Sequence, residues 1–318
     1  MTHSDREHRW RREWQRDGHR VVECEVCGYR HLHPLPGDAD LESFYREHYH
    51  KEKQHIAYHA IDDAFVAKRL EDLTANRDFR GIYEKVETLF SGTVPRTMID
   101  IGGGNNLLSR FFMDRGWEGT VFEPNADAAD YLRHFDLPVV ESMFGDADRS
   151  TQRSYSFINI QFVLEHVLDP LKMLCQSADM LDAGGLIRVC VPNDFSPGQL
   201  AWLSATGAEP PWISYPDHIN YFDFDSLAQL LARAGLVEVS RDTSFPLEFL
   251  LLTGNDYYSD SSLQEKVAPI VSGFENAWLK SEQGYRLSTF YEMLAGMGMG
   301  RSAVLYARRN IANDKSHT

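Results

Sequence analysis

The stretch Thr97-Met98-Ile99-Asp100-Ile101-Gly102-Gly103-Gly104-Asn105-Asn106 constrains the fold of this chain more than any other. Met98, Ile99 and Ile101 form a short apolar run, as expected of a strand buried in a parallel sheet. Three consecutive glycines let the backbone turn sharply and leave no side chain between it and a ligand. Asn105 or Asn106 is placed to cap the following helix, which carries Leu107, Leu108, Phe111 and Phe112 at helical spacing and stops at Gly116. A strand, a glycine turn and a helix in this order make a nucleotide-binding corner.

Two details narrow the nucleotide. A dinucleotide fingerprint wants a third glycine where the helix begins to pack on the strand, and Leu107 stands there. Asp100, just before the turn, suits an amino group better than a pyrophosphate. About one strand later comes Thr120-Val121-Phe122-Glu123-Pro124, with Glu123 placed to accept hydrogen bonds from two ribose hydroxyls. These residues resemble the class I S-adenosylmethionine-dependent methyltransferases, whose first motif reads acid-x-Gly-x-Gly and whose second strand ends in an acid. The resemblance implies S-adenosylmethionine as cofactor. It also implies an α/β Rossmann-like fold, with a seven-stranded, mostly parallel sheet and helices on both faces. The bland alternative, a glycine-rich turn in some other α/β protein, is weakened by the paired acids.

From Thr97 onward helical and strand patterns alternate, as in a parallel sheet covered on both faces. The turn Ser142-Met143-Phe144-Gly145-Asp146-Ala147 is expected at the carboxyl edge of that sheet, where such folds bind ligands. In the resembling family this turn meets the adenine, which favours Ser142 and Met143, with Asp146 next. A fourth strand over 157–164 ends in Leu164-Glu165-His166-Val167-Leu168-Asp169-Pro170, resembling the family's Leu-Glu-His-Val followed by Asp-Pro. The family usually has an acid shortly before this strand; here Ser156 stands in its place. Gln161 and Phe162 fall where the strand meets the ligand edge, bordering the methionine and sulfonium region.

His166 is a candidate general base, since imidazole titrates near neutral pH. The alternative is that Glu165 and His166 start a helix and hold the loop by hydrogen bonds. Residues 194–222, with Trp202, Trp212 and His218, read as a loop-rich substrate lid. His218 resembles the histidine that many members place just before a phenylalanine (Phe222) and a Ser-Leu helix (Ser226-Leu227). It is the first choice for a substrate-side acid or base and His166 the second, against a role for His218 in capping the next helix. Residues 244–296 are too apolar for a loose loop and are expected to be a helical insertion that covers the site or forms a dimer face. Gly296-Met297-Gly298-Met299-Gly300 imitates a phosphate loop, but its place before the last strand makes it a tight connection.

The N-terminal part is expected to be a separate cap over 1–90, preceding a methyltransferase domain over 91–310 and a disordered tail over 311–318. Residues 1–20 hold six arginines against four acids, with Trp10 and Trp14 interleaved, and read as a packed helix or a loose tail. Cys24 and Cys27 have the spacing of half a zinc knuckle, with Gly28 at its turn. A structural site needs four ligands, and no second cysteine pair exists among the four cysteines. His19, His31 or His33 could complete a mixed site, but their spacing fits no strong pattern. Cys24, Cys27, Gly28 and His33-Pro34-Leu35-Pro36 resemble the second half of the zinc ribbon that begins many methyltransferases of sugars and small metabolites. The first half is missing, so the pair reads as a remnant and no metal is assigned. A polar helix is expected over 41–59. By the same resemblance, Tyr49 or Tyr45 closes over the methionine end of the cofactor. Residues 61–90 continue as amphipathic helix.

Composition bounds the function. At 318 residues the chain can bury a sizeable core, and 43% hydrophobic with 25% charged residues is an ordinary globular balance. A formal charge of −15 weighs against nucleic acid, whose phosphates select clustered Lys and Arg. No apolar run reaches membrane-spanning length and none opens the chain as a signal segment. Cys175 and Cys190 lie in apolar segments, fitting free thiols in a reducing cytoplasm. The expected activity is methyl transfer from S-adenosylmethionine to a hydroxyl, amine or carbon of a small molecule of sugar or secondary-metabolite type. The expected partner is that acceptor, with no nucleic acid or membrane, and a homodimer is one use of the insertion. Two rivals are a nicotinamide-dependent oxidoreductase, which Leu107 disfavours, and a non-catalytic interaction protein, which the intact cofactor residues disfavour.

Overall fold

The computed structural model describes residues 7–37, 41, 61–90, 95–145 and 154–310. The helix expected beyond Leu41, with Tyr45 and Tyr49, lies outside them, as do Asp146 and the 311–318 tail.

The arginine-rich start is a strand, not a helix or a tail. Strand β1 (Trp10–Arg16) pairs antiparallel with β2 (His19–Cys24), which pairs with β3 (Arg30–Leu32). Trp10 and Trp14 are four apart, a spacing that shares one face in a helix and in a strand alike, so periodicity could not decide. Trp14 packs on Phe195 at 4.6 Å and Trp10 on His33 at 4.8 Å, while the arginines line the exposed edge. The amphipathic segment that follows is two helices, α1 (Asp63–Thr74) and α2 (Arg77–Leu89), broken where Asn76 caps the second through Phe79 N–H.

The large sheet is built from β4 (Thr97–Ile101), β5 (Glu118–Phe122), β6 (Val139–Val140), β7 (Tyr155–Gln161), β8 (Leu181–Pro192), β10 (Leu236–Asp242) and β11 (Ser302–Arg309). Its seven strands run in the order β10-β11-β8-β7-β4-β5-β6, with β11 antiparallel to both neighbours and the other pairings parallel. The chain therefore leaves β4 in one direction toward β5 and β6, then returns to place β7 on its other side. That reversal puts a crevice at the carboxyl ends of β4 and β7. Period-2 alternation sends Met98 and Phe157 to one face and Ile99, Ile101, Ile158 and Ile160 to the other. The first face is covered by α1, α2, α3 (Leu108–Met113) and α4 (Ala126–Arg133), whose Phe111, Phe112, Tyr131 and Leu132 are fully buried. The second is covered by α5 (Pro170–Asp179) and α7 (Phe224–Arg233) through Leu174, Leu227, Leu230 and Leu231.

Helix α5 stops at Asp179, and Gly184-Gly185 lies in the irregular start of β8, where the register to β7 shifts between Tyr155 and Phe157. Two boundaries differ from expectation. Strand β7 ends at Gln161 rather than 164, and Leu164–His166 form one 3₁₀ turn. The stretch 194–222 contains a real helix, α6 (Pro197–Thr206), and the short strand β9 (Asn220–Tyr221). Strand β9 pairs with β3 and completes a four-stranded second sheet, β1-β2-β3-β9. The N-terminal strands are thus fastened to the loop that carries His218.

The insertion divides in two. Helix α8 (Glu248–Leu252) packs with α6 in a third core, where Phe195, Trp202, Trp212, Tyr221, Leu251 and Tyr257 meet Val21 and Leu32 of the small sheet. Helices α9 (Ser261–Leu279) and α10 (Arg286–Gly296) pair through Phe274, Trp278 and Phe290. They lean on α2 through Lys85–Glu292 and Arg77–Glu275 ion pairs. Only the first part therefore stands near the carboxyl edge. Gly296–Gly300 is the tight connection expected, its carbonyls at Gly298 and Gly300 accepting from the Asn193 side chain at 3.0 and 2.8 Å.

Candidate active site

The glycine turn is where the sheet can tolerate no side chain. A Cβ on Gly103 would overlap Val121 Cγ1 and press on Leu132 Cδ1, and a Cβ on Gly102 would overlap Val163 Cγ2. Gly102 also holds φ +74, a region that favours glycine. A Cβ on Gly104 would meet nothing within 4 Å, so the turn is braced from below and open above. Gly103→Ala is expected to cost about 2–3 kcal/mol by overpacking, read as a lower urea midpoint with an unchanged slope. An unchanged midpoint would contradict the bracing.

Glu123, at the end of β5, is 7% exposed and ties this turn to the next. Its Oε2 accepts from Gly104 N–H at 2.7 Å and its Oε1 from Asn125 N–H at 2.8 Å. The helix begins at Leu108, one residue later than read from the sequence, and Asn106 Oδ1 accepts its first N–H at 2.8 Å.

Asp100 faces inward. Asn159 Nδ2 donates to its Oδ1 at 2.7 Å and Ser109 Oγ to its Oδ2 at 3.3 Å, and the carboxyl is 2% exposed. Burial pushes it up to about 6 against the pull of those donors and of Arg188. Asp100 thus stands enclosed at the end of β4, directly beneath the glycine turn. Arg188 continues the chain by donating to Asn159 Oδ1 at 2.8 Å and Gln161 Oε1 at 2.9 Å, so Gln161 is held at the crevice from behind. The acid missing at Ser156 is supplied across the strands: Ser156 Oγ donates to Asp182 Oδ2 at 3.0 Å.

Phe162 sits at the switch point with φ +55 and a ring 43% exposed. A left-handed backbone on a bulky residue costs energy and points to a role at the crevice. Ser142 follows β6 at the same edge; its buried Oγ has no partner among the described residues, an atom that a ligand hydrogen bond would satisfy. Met143 beside it is 51% exposed and Pro124 is exposed as well, so both present surface rather than core.

The two histidines meet, with ring centroids 5.1 Å apart and planes at 78°. His166 Nδ1 lies 2.7 Å from the Asp217 carbonyl oxygen, so Nδ1 carries the proton in the neutral ring and Nε2 is the basic nitrogen. The Asp217 carboxylate stands 3.3 Å from His166 Nδ1 and 3.7 Å from His218 Nε2. The Asp194 carboxylate stands 4.0 Å from His218 Nδ1 and is itself paired with Arg301 at 3.1 Å. Glu165, Asp194 and Asp217 are almost fully buried behind rings that keep some solvent access. Burial raises the Glu165 carboxyl to about 8, helped by repulsion from Asp194, and burial raises Asp194 against the pull of Arg301. The loop is fastened by Asn220, whose Nδ2 donates to the Leu164 and Val167 carbonyls at 2.9 and 2.7 Å, and by Ile219 N–H donating to the Glu165 carbonyl at 2.7 Å.

His218 therefore does not cap α7; Asp223 does, with Ser226 in a reciprocal box. Asp194, Asp217 and Arg301 were not singled out from the sequence, and neither was the ring-to-ring contact. The available signal was modest: Asp194 follows the Pro192-Asn193 edge of β8, and Asp217 directly precedes His218.

The fold and the edge together define an α/β protein with a glycine turn, a buried acid after β5 and a histidine–carboxylate cluster on one rim. A family model described as a methyltransferase domain matches residues 66–240, more than half of the chain, and the chain belongs to that family. It is an S-adenosylmethionine-dependent methyltransferase, and the resident cofactor of the glycine corner is S-adenosylmethionine.

Comparison with curated proteins returns no match. Solved structures with a similar fold include the 1,6-didemethyltoxoflavin-N1-methyltransferase of Burkholderia thailandensis, with bound 1,6-didemethyltoxoflavin and S-adenosylhomocysteine. That likeness is 12% identical with TM-score 0.49, covering 96% of this chain and 100% of that one. The plantazolicin methyltransferase BpumL, in complex with a monoazolic desmethylPZN analog and SAH, is 16% identical with TM-score 0.49, covering 86% and 94%. A SAM dependent methyltransferase from Archaeoglobus fulgidus is 17% identical with TM-score 0.46, covering 78% and 100%. Among the described residues, no helix is long and apolar enough to cross a membrane.

Proposed function

We propose that this methyltransferase acts on a small molecule of sugar or secondary-metabolite type, methylating a hydroxyl, amine or carbon, with His218 and His166 managing the acceptor's proton. The observation that carries this is the paired imidazoles on the same rim as the glycine turn, each backed by a buried carboxylate. Gly102, Gly103, Gly104, Glu123, Pro124, Ser142, Met143, Gln161 and Phe162 hold the cofactor, which supplies an electrophilic methyl group when bound. The open face over Gly104, the buried Ser142 hydroxyl, which has no partner among the described residues, and the Glu123 carboxylate beside the turn fit such a ligand.

The chain's own part is placement and proton handling. Holding a nucleophile in line with the methyl group supplies most of the rate in such a site. His166, with Nδ1 fixed by the Asp217 carbonyl, presents Nε2 as acceptor for a hydroxyl or ammonium proton. Asp217 and Asp194 stabilise the imidazolium that forms. The acidic total charge favours a neutral or cationic acceptor over nucleic acid. Exposed Ile270, Leu279 and Met293 on the α9–α10 pair support a homodimer in solution, and the free thiols of Cys175 and Cys190 support a reducing cytoplasm.

Calorimetric titration with S-adenosylmethionine, its demethylated product and NADH, followed by an acceptor screen, tests the reading. Micromolar binding of the first two and turnover of a small acceptor support it; binding of NADH alone overturns it. With an acceptor in hand, His218→Ala and His166→Ala are each expected to lower kcat about 10- to 100-fold while leaving S-adenosylhomocysteine affinity within about 2-fold. Unchanged kcat in both variants would leave the histidines a purely structural role in the loop.

A further inference from the structure

We propose that His8, Cys24, Cys27 and His31 form a structural zinc site that closes the N-terminal sheet. Expecting a remnant with no metal rested on the missing second cysteine pair; two histidines take that place. One ligand atom from each of the four residues lies within 4.8 Å of all the others. His8 Nδ1 stands 3.4 Å from Cys24 Sγ and 3.5 Å from Cys27 Sγ. Bond lengths of about 2.0–2.3 Å to nitrogen and sulfur give a tetrahedron whose edge is roughly 3.5 Å, so these separations are those of neighbouring ligands on one ion.

The surroundings are built for that. Cys24, Cys27 and His31 are 2%, 1% and 0% exposed, in a place where a lone pair of thiols gains nothing from water. Cys27 N–H donates to Cys24 Sγ at 3.4 Å, and Gly28 N–H donates to the Cys24 carbonyl at 3.0 Å, so one amide faces the sulfur and the other closes the turn. His31 Nδ1 lies 2.7 Å from the Leu32 carbonyl, which assigns the ring proton to Nδ1 and aims Nε2 inward. A ligating imidazole is usually oriented by just such a carbonyl. Four protein ligands of the Cys₂His₂ type close the coordination sphere, the mark of a structural rather than a catalytic ion, and sulfur with imidazole selects zinc.

The site explains how the residues from His8 into β1 are pinned to β2 and β3, with Glu25 N–H donating to the Arg9 carbonyl at 2.8 Å as a backbone tie beside it. It also explains why a sheet with so short a β3 can hold β9 and the His218 loop.

The full chain, purified without chelator, is expected to carry about one equivalent of zinc by elemental mass spectrometry. After exchange, Co²⁺ is expected to show the intense visible bands of a tetrahedral ion and a thiolate charge-transfer band in the near ultraviolet. Cys24→Ser and His8→Ala are expected to lose the metal, while His33→Ala, a neighbour outside the set, retains it. Should the variants not fold, the cobalt spectrum and zinc content of the unaltered chain decide. A folded chain below about 0.1 equivalent of metal after growth with added zinc, or one whose cobalt spectrum is that of an octahedral ion, overturns the proposal and leaves a hydrogen-bonded thiol–imidazole cluster. Zinc retained in full by both Cys24→Ser and His8→Ala overturns it as well.

Discussion

Glu123→Ala is expected to weaken S-adenosylhomocysteine binding by roughly 100-fold or more. Two effects combine. The carboxylate accepts from Gly104 N–H and Asn125 N–H, and each such charge-assisted bond contributes on the order of 1.5–3 kcal/mol. Without it the glycine turn loses the tie that sets its distance from β5, and the ribose loses its acceptor. Factors of ten in affinity correspond to about 1.4 kcal/mol, so one lost bond felt by the ligand, with part of the second, accounts for the expected change. Glu123→Gln keeps one carbonyl acceptor and should fall between, near 10-fold. Calorimetry on both variants reads the effect, and circular dichroism confirms that the fold persists. Affinity within about 2-fold of the unaltered chain in Glu123→Ala would remove Glu123 from the cofactor site.

What the sequence revealed was what local physics determines. The apolar run before Gly102 and the glycine turn are contiguous, and the acid after β5 follows one short helix and one strand later. Period and turn chemistry were therefore enough to place β4, β5 and the ligand corner. The Leu164–Val167 ending announced itself as a motif, although its secondary structure, a single 3₁₀ turn, did not. Helix α6 was legible and passed over: Ser196-Pro197-Gly198-Gln199 is a capping box with proline at the first helical position, and Gly207 ends the helix at φ +68. The tryptophan and proline content of 194–222 masked it as a loop.

Other features depend on distance in space. Asp100 could not be assigned inward without knowing that Asn159 and Ser109 lie beside it, 59 and 9 residues along the chain. The histidine pair joins residues from two different loops, and its buried carboxylates come from a third and from the peptide next door. His8 stands 16 residues before Cys24, across a hairpin whose first strand read as a helix or a loose tail. Once that segment is a strand, antiparallel pairing carries His8 to the knuckle. The error in secondary structure and the missed ligand are one error.

Stability is expected to fall as pH rises from about 5 to 8, and Glu165→Gln to remove most of that slope. Glu165 is fully buried on the carboxyl rim, its Oε2 lacks a partner among the described residues, and burial with repulsion from Asp194 holds its carboxyl at about 8. The folded pKa is thus above the unfolded one, so between the two the native state binds one proton more than the unfolded chain. Stability then decreases with pH, by about 1.4 kcal/mol per unit for this group and roughly 4 kcal/mol over the whole window, and levels off above the folded value. Asp100, raised to about 6, adds the same sign at lower pH, and Asp194 is raised in the same direction. Asp223 opposes them in acid: burial would raise it, but Arg30 at 2.6 Å and the Ser226 N–H bring it below its ordinary value, so its contribution is lost as pH falls. Glutamine keeps the shape of a protonated glutamate and cannot ionise. Urea unfolding at pH 5.5, 7 and 8.5 should therefore show the unaltered chain losing stability while Glu165→Gln stays nearly level and is the more stable of the two at pH 8.5. Parallel curves would mean that Glu165 is ionised in the native state across the whole range, and would overturn the prediction.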